Sequence, residues 1–321
     1  MCGRVVEAVI QEGVGKVIVV DNGCVGQSRQ VLERLALEHG AKLQLLHMKE
    51  NTGSAGGFGA GLREARLHSA IKFAWLMDDD NMPIPGALDQ LHKYRQTLQG
   101  WRDSRSLALL SLRDRRFGLM TIARGCSAAR IFPPSSFLQF DMSMFPRKVL
   151  TRVAQRLRRA AIRDTPVQIP FAPYGGLLLS IEVLDEIGYP EERFFTYADD
   201  TEFTFRLAAA GGRIMLVPTS RVQEIDTPWP QASAGGNGLT RLLLSDSDFR
   251  VFYAVRNSVF FESHMWLGSR LRYSVNKCIY LALARMAGAA LRRSKRVALI
   301  QRAVRDGEEG RLGRTFGDCE S

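Results

Sequence analysis

Residues 73–83 read Phe-Ala-Trp-Leu-Met-Asp-Asp-Asp-Asn-Met-Pro, an apolar run that stops in three carboxylates, Asp78, Asp79 and Asp80. Three adjacent anions repel one another unless a positive charge sits among them, and a hard divalent cation with oxygen ligands meets that need. A cation held by carboxylates on one side can hold substrate phosphates on the other. The competing reading is an acidic turn that caps the next helix, with Pro85 near its start. A second acidic group, Asp199, Asp200 and Glu202, closes a segment that begins Tyr174-Gly175-Gly176-Leu-Leu-Leu-Ser180. Asp200 falls at or near a helix N-terminus, where the macrodipole favours an anion. An ionised carboxylate held against a hydroxyl can act as a general base; a plain acidic N-cap is the alternative.

Between these lies Asn51-Thr-Gly-Ser-Ala-Gly-Gly-Phe-Gly-Ala-Gly61. A glycine-rich loop over 51–59 between a strand and a helix offers backbone N–H groups to a phosphate. It lacks the G-x-G-x-x-G spacing of a dinucleotide fingerprint and the Gly-Lys-Ser/Thr of a P-loop. A tight turn that permits close helix–sheet packing is the other reading.

The elements that position these groups alternate. Residues 4–12 read as a helix, 16–20 as a buried strand ending at Asp21-Asn22-Gly23, and 27–38 as a helix. Strand 43–48, a helix through about residue 69, strand 71–77 and helix 85–98 follow. Such alternation predicts an α/β fold, a mostly parallel sheet with helices on both faces, whose strand C-termini form the ligand-binding rim. A doubly wound domain normally opens with a strand, and here the first element is a helix.

The 321 residues suffice for one large α/β domain plus an extension. The five cysteines, Cys2, Cys24, Cys126, Cys278 and Cys319, form no CxxC pair. They exclude a zinc site or disulfide framework of recognisable spacing and point to a reducing, cytoplasmic setting. No sustained apolar region follows the N-terminus, so no signal peptide is expected. The net charge of +11 is concentrated: residues 147–163 hold seven Lys or Arg and residues 292–305 hold six, with no acid in either. Their spacing suggests basic amphipathic helices for an anionic membrane surface, here the inner face of the cell membrane, or for nucleic acid; a solvated basic face is the alternative. Residues 278–291 are apolar but interrupted by Arg285, and are shorter than the ~20 residues a spanning helix needs, so the C-terminal region is expected to lie on a membrane or on the domain.

Taken in order, VVDNG, NTGSAGGFGAGL, WLMDDDNMP and FFTYADDTEFTFRLAAAG resemble glycosyltransferase family 2. The AGGF loop and the triple Asp resemble its galactofuranosyl- and rhamnosyltransferase-like branch. So do Tyr253-Ala-Val-Arg256-Asn257 and Asp306-Gly307-Glu-Glu-Gly310-Arg311-Leu-Gly313. The resemblance implies a doubly wound GT-A fold apparently lacking its first strand. It implies a catalytic domain over 1–245, in which residues 1–100 bind the nucleotide and residues 165–245 serve the acceptor and catalysis, and a basic helical extension over 246–321. The activity implied is inverting transfer of galactofuranose or rhamnose from a UDP- or dTDP-linked donor, with Mn2+ or Mg2+, to a glycan or lipid-linked acceptor. Asp21 would contact the base; Asn51, Gly53, Gly56 and Gly57 would border nucleotide and sugar, with Asp78 and Asp79 beside them. Asp78 and Asp80 would hold the metal, Asp200 would be the base, and Asp199 and Glu202 would hold hydroxyls.

Relatives often carry a histidine metal ligand on a strand after the base. The corresponding stretch, Val217 to Asp226, has none; Glu224 is the positional substitute or else an ordinary strand acid, and His264 is left unassigned. Trp229, followed by Gly235-Gly236-Asn237-Gly238, reads as a loop residue that stacks on a sugar or packs back on the surface. A degenerate, non-catalytic sugar-nucleotide- or membrane-binding protein is the rival reading. Nucleic-acid binding rests on charge alone and is not expected.

Overall fold

The computed structural model describes residues 1–98, 106–144, 161–225 and 238–316. The chain divides into two compact units: Met1–Ala128 with Ile162–Phe195 and Asp199–Asp226, and Ala129–Ala161 with Thr196–Ala198 and Thr227–Ser321. The basic run at 147–160 and the loop carrying Trp229 lie outside the described residues.

The first unit opens with helix α1 (Cys2–Gln11), as the sequence predicts, then β1 (Val17–Asp21), α2 (Gln27–His39), β2 (Leu43–His47) and α3 (Gly53–Leu67). β3 (Phe73–Leu76) and β4 (Asn81–Pro83) flank the acidic turn; α4 (Ala87–Thr97), β5 (Leu107–Arg113) and α5 (Phe117–Ala123) follow, and the short α6 (Ala128–Ile131) leads into the second unit. After β6 (Val167–Ile169), β7 (Leu177–Ser180) and α7 (Leu184–Ile187) come α8 (Asp199–Ala209) and β8 (Arg213–Glu224). The result is the α/β architecture expected, with a mixed sheet. β1 pairs β2 in parallel, and β5 pairs β8 in parallel. β7 lies antiparallel between β3 and β5, while β4 and β6 run antiparallel to β8. Among the described residues these strands form a two-stranded and a six-stranded sheet.

Two apolar layers hold the strands. Val6, Leu32, Leu35 and Leu43 bury α1 and α2 on β1–β2. Leu88 and Leu91 of α4 pack on Leu109, Leu178 and Val217 of the larger sheet. Each of these buried side chains is worth about 1.5–3 kcal/mol relative to exposure.

The glycine-rich stretch differs from its expected loop: it is helical from Gly53 onward. Helix propensity alone disfavours this. Close packing accounts for part of it, since a Cβ at Gly61 would stand 3.3 Å from Val20 and one at Gly56 2.3 Å from Thr52 Oγ1. Gly61 lets α3 lie against β1.

The second unit contains α9 (Gly238–Leu244), α10 (Asp248–His264), α11 (Arg270–Ala290) and α12 (Ser294–Glu308). Gly307 lets α12 approach α10, because a Cβ there would lie 2.4 Å from the Arg256 carbonyl oxygen. Among the described residues no helix is long and apolar enough to cross a membrane.

Candidate active site

β1 and β2 pair so that Asp21 lies opposite His47. The Asp21 carboxylate is fully buried and accepts hydrogen bonds from the Cys24 backbone N–H (2.7 Å) and His47 Nδ1 (2.8 Å), with Arg29 Nε at 3.3 Å. Burial would raise this carboxyl, yet the bonds from His47 and Cys24 and the Arg29 charge hold it below its ordinary value. It is therefore an ionised anchor for the β1 loop, and both of its oxygens have partners within the protein. Next to it, Asn22 ties that loop to the start of α3. Its Oδ1 accepts from Thr52 N and Thr52 Oγ1, each at 2.9 Å, and its Nδ2 donates to the Gly53 carbonyl at 2.8 Å. Asn51 Oδ1 accepts from Gly53 N at 2.8 Å. Gly53 has φ +71°, and a Cβ there would lie 1.9 Å from the Phe195 carbonyl oxygen, so only glycine fits. Gly56 is equally cramped, with Thr52 Oγ1 2.3 Å from its would-be Cβ.

β3 ends at Leu76, and the acids stand at its C-terminal end. The chain then returns as β4 beside β8, with Asn81 opposite Glu224 and Ile225 N donating to the Asp80 carbonyl at 2.8 Å. Asp79 is exposed, while Asp78 and Asp80 are partly buried. Lost hydration pushes the Asp78 carboxyl up to about 6, helped by the charges of Asp80 and Asp200 and opposed by Arg113 and Arg116. Asp80 is raised as well, by burial, against the opposing charge of Arg113.

Arg113 is the group that the sequence reading missed. It ends β5 with its side chain 3 % exposed. Its Nη2 and Nε approach Glu224 Oε1 at 2.7 and 3.0 Å, and its Nη1 lies 3.5 Å from Asp78 Oδ2. A bulge makes this reach possible: β5 runs from Ser111 to Leu112 while β8 steps from Val217 to Arg221. Glu224, expected as a stand-in for a metal-binding histidine, thus serves as counter-ion to Arg113, with Arg116 Nε at 3.3 Å. Asp78, Asp80 and Glu224 do not draw their oxygens together; among the described residues the group that does so within 4.8 Å is Glu7, Glu38 and His39, on α1 and α2.

Oxygen donors for a hard cation are nevertheless present. Asn81 Oδ1 and Glu224 Oε2 are buried and lack any hydrogen-bond partner. A Cβ on Gly175 would lie 1.9 Å from Asn81 Oδ1, 2.7 Å from Asp78 Oδ2 and 2.9 Å from Arg113 Nη1. The bare glycine therefore leaves these three atoms facing one small space. Asp78 and Asp80 with the orphaned Asn81 oxygen fit Mn2+ or Mg2+ in chemical kind.

α8 begins with the second acidic group. Asp199 is buried, and Ser54 Oγ donates to its Oδ2 at 2.8 Å. Burial and then the adjacent Asp200 charge push Asp199 upward. Asp200 is raised too, by burial, against Arg116, the Thr201 hydrogen bonds and Arg113; Thr201 N donates to its Oδ1 at 2.6 Å. The charges of Arg113 and Arg116 oppose the upward push on both Asp78 and Asp200. Glu202 has its partners within the protein. Its Oε1 and Oε2 are held by Arg206 at 2.8 and 3.1 Å, and Arg206 also donates to the carbonyls of Ile187 and Tyr189. Through Arg206, Glu202 braces the turn after α7. Tyr174, unremarked beyond its place in the motif, is buried against Phe58 at 4.1 Å between ring centroids, and its hydroxyl has no partner.

Residues 1–235 match the family model described as "Glycosyltransferase like family 2". The chain belongs to this family. Similar solved structures include GalNAc-T7 with UDP, GalNAc and Mn2+, at 14 % identity and TM-score 0.49, covering 88 % of this chain and 52 % of that one. TarS of S. aureus is 13 % identical at TM-score 0.45, covering 100 % of this chain and 57 % of that one. The chain thus spans little more than half the length of either. No curated protein matches. Within family 2, the acidic turn at 78–80 and the acidic start of α8 are the features that this chain carries at its sheet rim.

Proposed function

We propose that this protein is an inverting glycosyltransferase that moves galactofuranose or rhamnose from a UDP- or dTDP-linked donor to a hydroxyl of a glycan or lipid-linked acceptor. The observation that carries the reading is the acidic turn at the C-terminal end of β3, where Arg113 Nη1 lies 3.5 Å from Asp78 Oδ2, together with the acidic start of α8 at Asp199 and Asp200.

Asp200 is the base. Its Oδ1 is occupied by the Thr201 N–H, which leaves Oδ2 for the acceptor hydroxyl. That hydroxyl gives its proton to Asp200 as its oxygen bonds to the anomeric carbon, and the bond from that carbon to the diphosphate breaks on the opposite face. One displacement inverts the centre. Burial and the neighbouring Asp200 charge push Asp199 upward, while the charges of Arg116 and Arg113 and the Thr201 hydrogen bonds oppose the rise at Asp200, which favours Asp200 as the ionised member of the pair. Asp78 and Asp80 would hold a divalent metal, whose contribution is to neutralise the diphosphate leaving group. Arg116, half-exposed at the same rim, adds a second positive charge toward the phosphates. Asn51, Gly57 and Asp79 line the nucleotide side, and the buried Asp21, Gly53 and Gly56 shape the loop and helix start beneath them.

The test is transfer from a panel of UDP- and dTDP-sugars by wild type and by Asp200→Asn. Transfer by wild type, lost in Asp200→Asn while nucleotide binding is kept, supports the enzyme. Nucleotide binding without transfer by wild type favours the non-catalytic sugar-nucleotide-binding protein.

A further inference from the structure

The solvent side of α11 is apolar along its whole length. Leu271, Val275, Cys278, Ala282, Met286 and Ala289 recur at intervals of three and four and are all exposed, Leu271 at 77 % and Met286 at 70 %. The opposite side, with Tyr273, Asn276, Tyr280, Ala284 and Gly288, is buried within the second unit. α11 therefore has two apolar sides, and its own fold uses one.

The charges around the unused side are of one sign. Residues 270–305 contain ten Lys or Arg and no Asp or Glu. Arg272, Lys277, Arg296 and Arg302 pair with Asp141, Glu308, Asp248 and Asp306. Arg305 lies on the exposed side of α12, and Arg270, Arg285, Arg292, Arg293 and Lys295, nearer the stripe, are exposed and have no ion-pair partner among the described residues. One stands at the start of the stripe, one a turn before its end and three just past its end.

We infer that this face of α11 lies in the surface of a bilayer containing anionic phospholipid, with its axis in the membrane plane and the five cations at headgroup level. An exposed apolar stripe bordered by cations is the arrangement that gains from both hydrocarbon and anionic headgroups. A second copy of the chain fits poorly. Both ends of the stripe are cationic, so pairing two copies in either direction sets like charges together. The inference does not depend on the transferase reading, because no residue in it belongs to the acidic cluster.

The test is flotation of the full chain with vesicles of phosphatidylcholine alone and of phosphatidylcholine mixed with phosphatidylglycerol. Wild type is expected to float with the mixed vesicles. Leu271→Glu/Met286→Glu should lower its partitioning about tenfold or more. Arg292→Ser/Arg293→Ser/Lys295→Ser should weaken it by about fivefold per charge, an effect that salt abolishes. Circular dichroism checks that both variants keep their helices; all substituted positions are exposed. No flotation of wild type, or flotation indifferent to both variants, overturns the proposal. So does a wild-type dimer that Met286→Glu splits into monomers without any change in vesicle binding, since a second copy would then be the occupant.

Discussion

Replacing Arg113 by Met tests the cation on which the acidic cluster depends. The Arg113 and Glu224 side chains are 3 % and 0 % exposed, and their closest N–O distance is 2.7 Å. Removing the guanidinium strands Glu224 with only Arg116, which is 52 % exposed and 3.3 Å away. Leaving one member of a buried pair uncompensated costs about 3–5 kcal/mol. For a unit of this size, each kcal/mol lowers the unfolding midpoint by about 2–4 °C, so a fall of about 6–20 °C is expected. The assay is thermal unfolding by circular dichroism of wild type, Arg113→Met, Glu224→Leu and the double variant. Arg113→Met/Glu224→Leu should regain most of the loss, because a well-packed apolar pair can replace a buried ion pair at little cost. The reasoning is refuted by an Arg113→Met midpoint within about 1 °C of wild type, or by a double variant as unstable as the two singles summed. A functional consequence accompanies the structural one. Arg113 opposes the upward push on Asp78, so its loss should move nucleotide binding to higher pH.

Other predictions concern the second acidic group and the glycines. Asn257 is fully buried and donates to the carbonyls of Thr196 (2.7 Å) and Tyr197 (3.0 Å), in a stretch where Phe195, Tyr197 and Ala198 all have positive φ. Asn257→Ala should release that strained turn just before Asp199, lowering kcat with little change in donor KM; Asn257→Asp, which cannot donate, should behave no better. The Asp199 carboxyl is raised above its unfolded value, so its ionisation destabilises the fold increasingly as pH climbs from about 4. Asp199→Asn should therefore be more stable than wild type at pH 7, with the gain shrinking toward pH 4, in urea titrations at the two pH values. Gly175→Ala places a Cβ 1.9 Å from Asn81 Oδ1 and should abolish metal-dependent nucleotide binding while far-ultraviolet circular dichroism stays unchanged.

The acidic groups of the candidate site are legible where their signal is local. Three adjacent aspartates after an apolar strand, and an acidic helix start after an aromatic run, stand out because like charges rarely crowd without cause. The alternation of β1, α2, β2, α3 and β3 was equally plain. Arg113 was not, since its partner Glu224 lies 111 residues away and no local pattern links them. Nor was the task of Asn257, 61 residues from Thr196, although its place in the Tyr253–Asn257 motif had marked it. That motif now has a physical account. Arg256 Nη1 donates to the Gly313 carbonyl at 2.7 Å, tying α10 to the glycine-rich segment after α12. The glycine-rich run misled for a simple reason: composition argues for a loop, whereas α3 needs small residues to lie close to β1. Glu202 misled because its partner Arg206 is one helical turn away, a spacing that fits bracing as well as catalysis.

The central claim is that Asp78 and Asp80 hold a metal that binds a nucleoside diphosphate. Calorimetric titration of UDP and of dTDP, each with and without Mn2+, into wild type and Asp80→Ala tests it most directly. The account predicts that one nucleotide binds wild type only with Mn2+ and that Asp80→Ala does not bind it. Binding of neither nucleotide, or binding indifferent to both Mn2+ and the substitution, would contradict it.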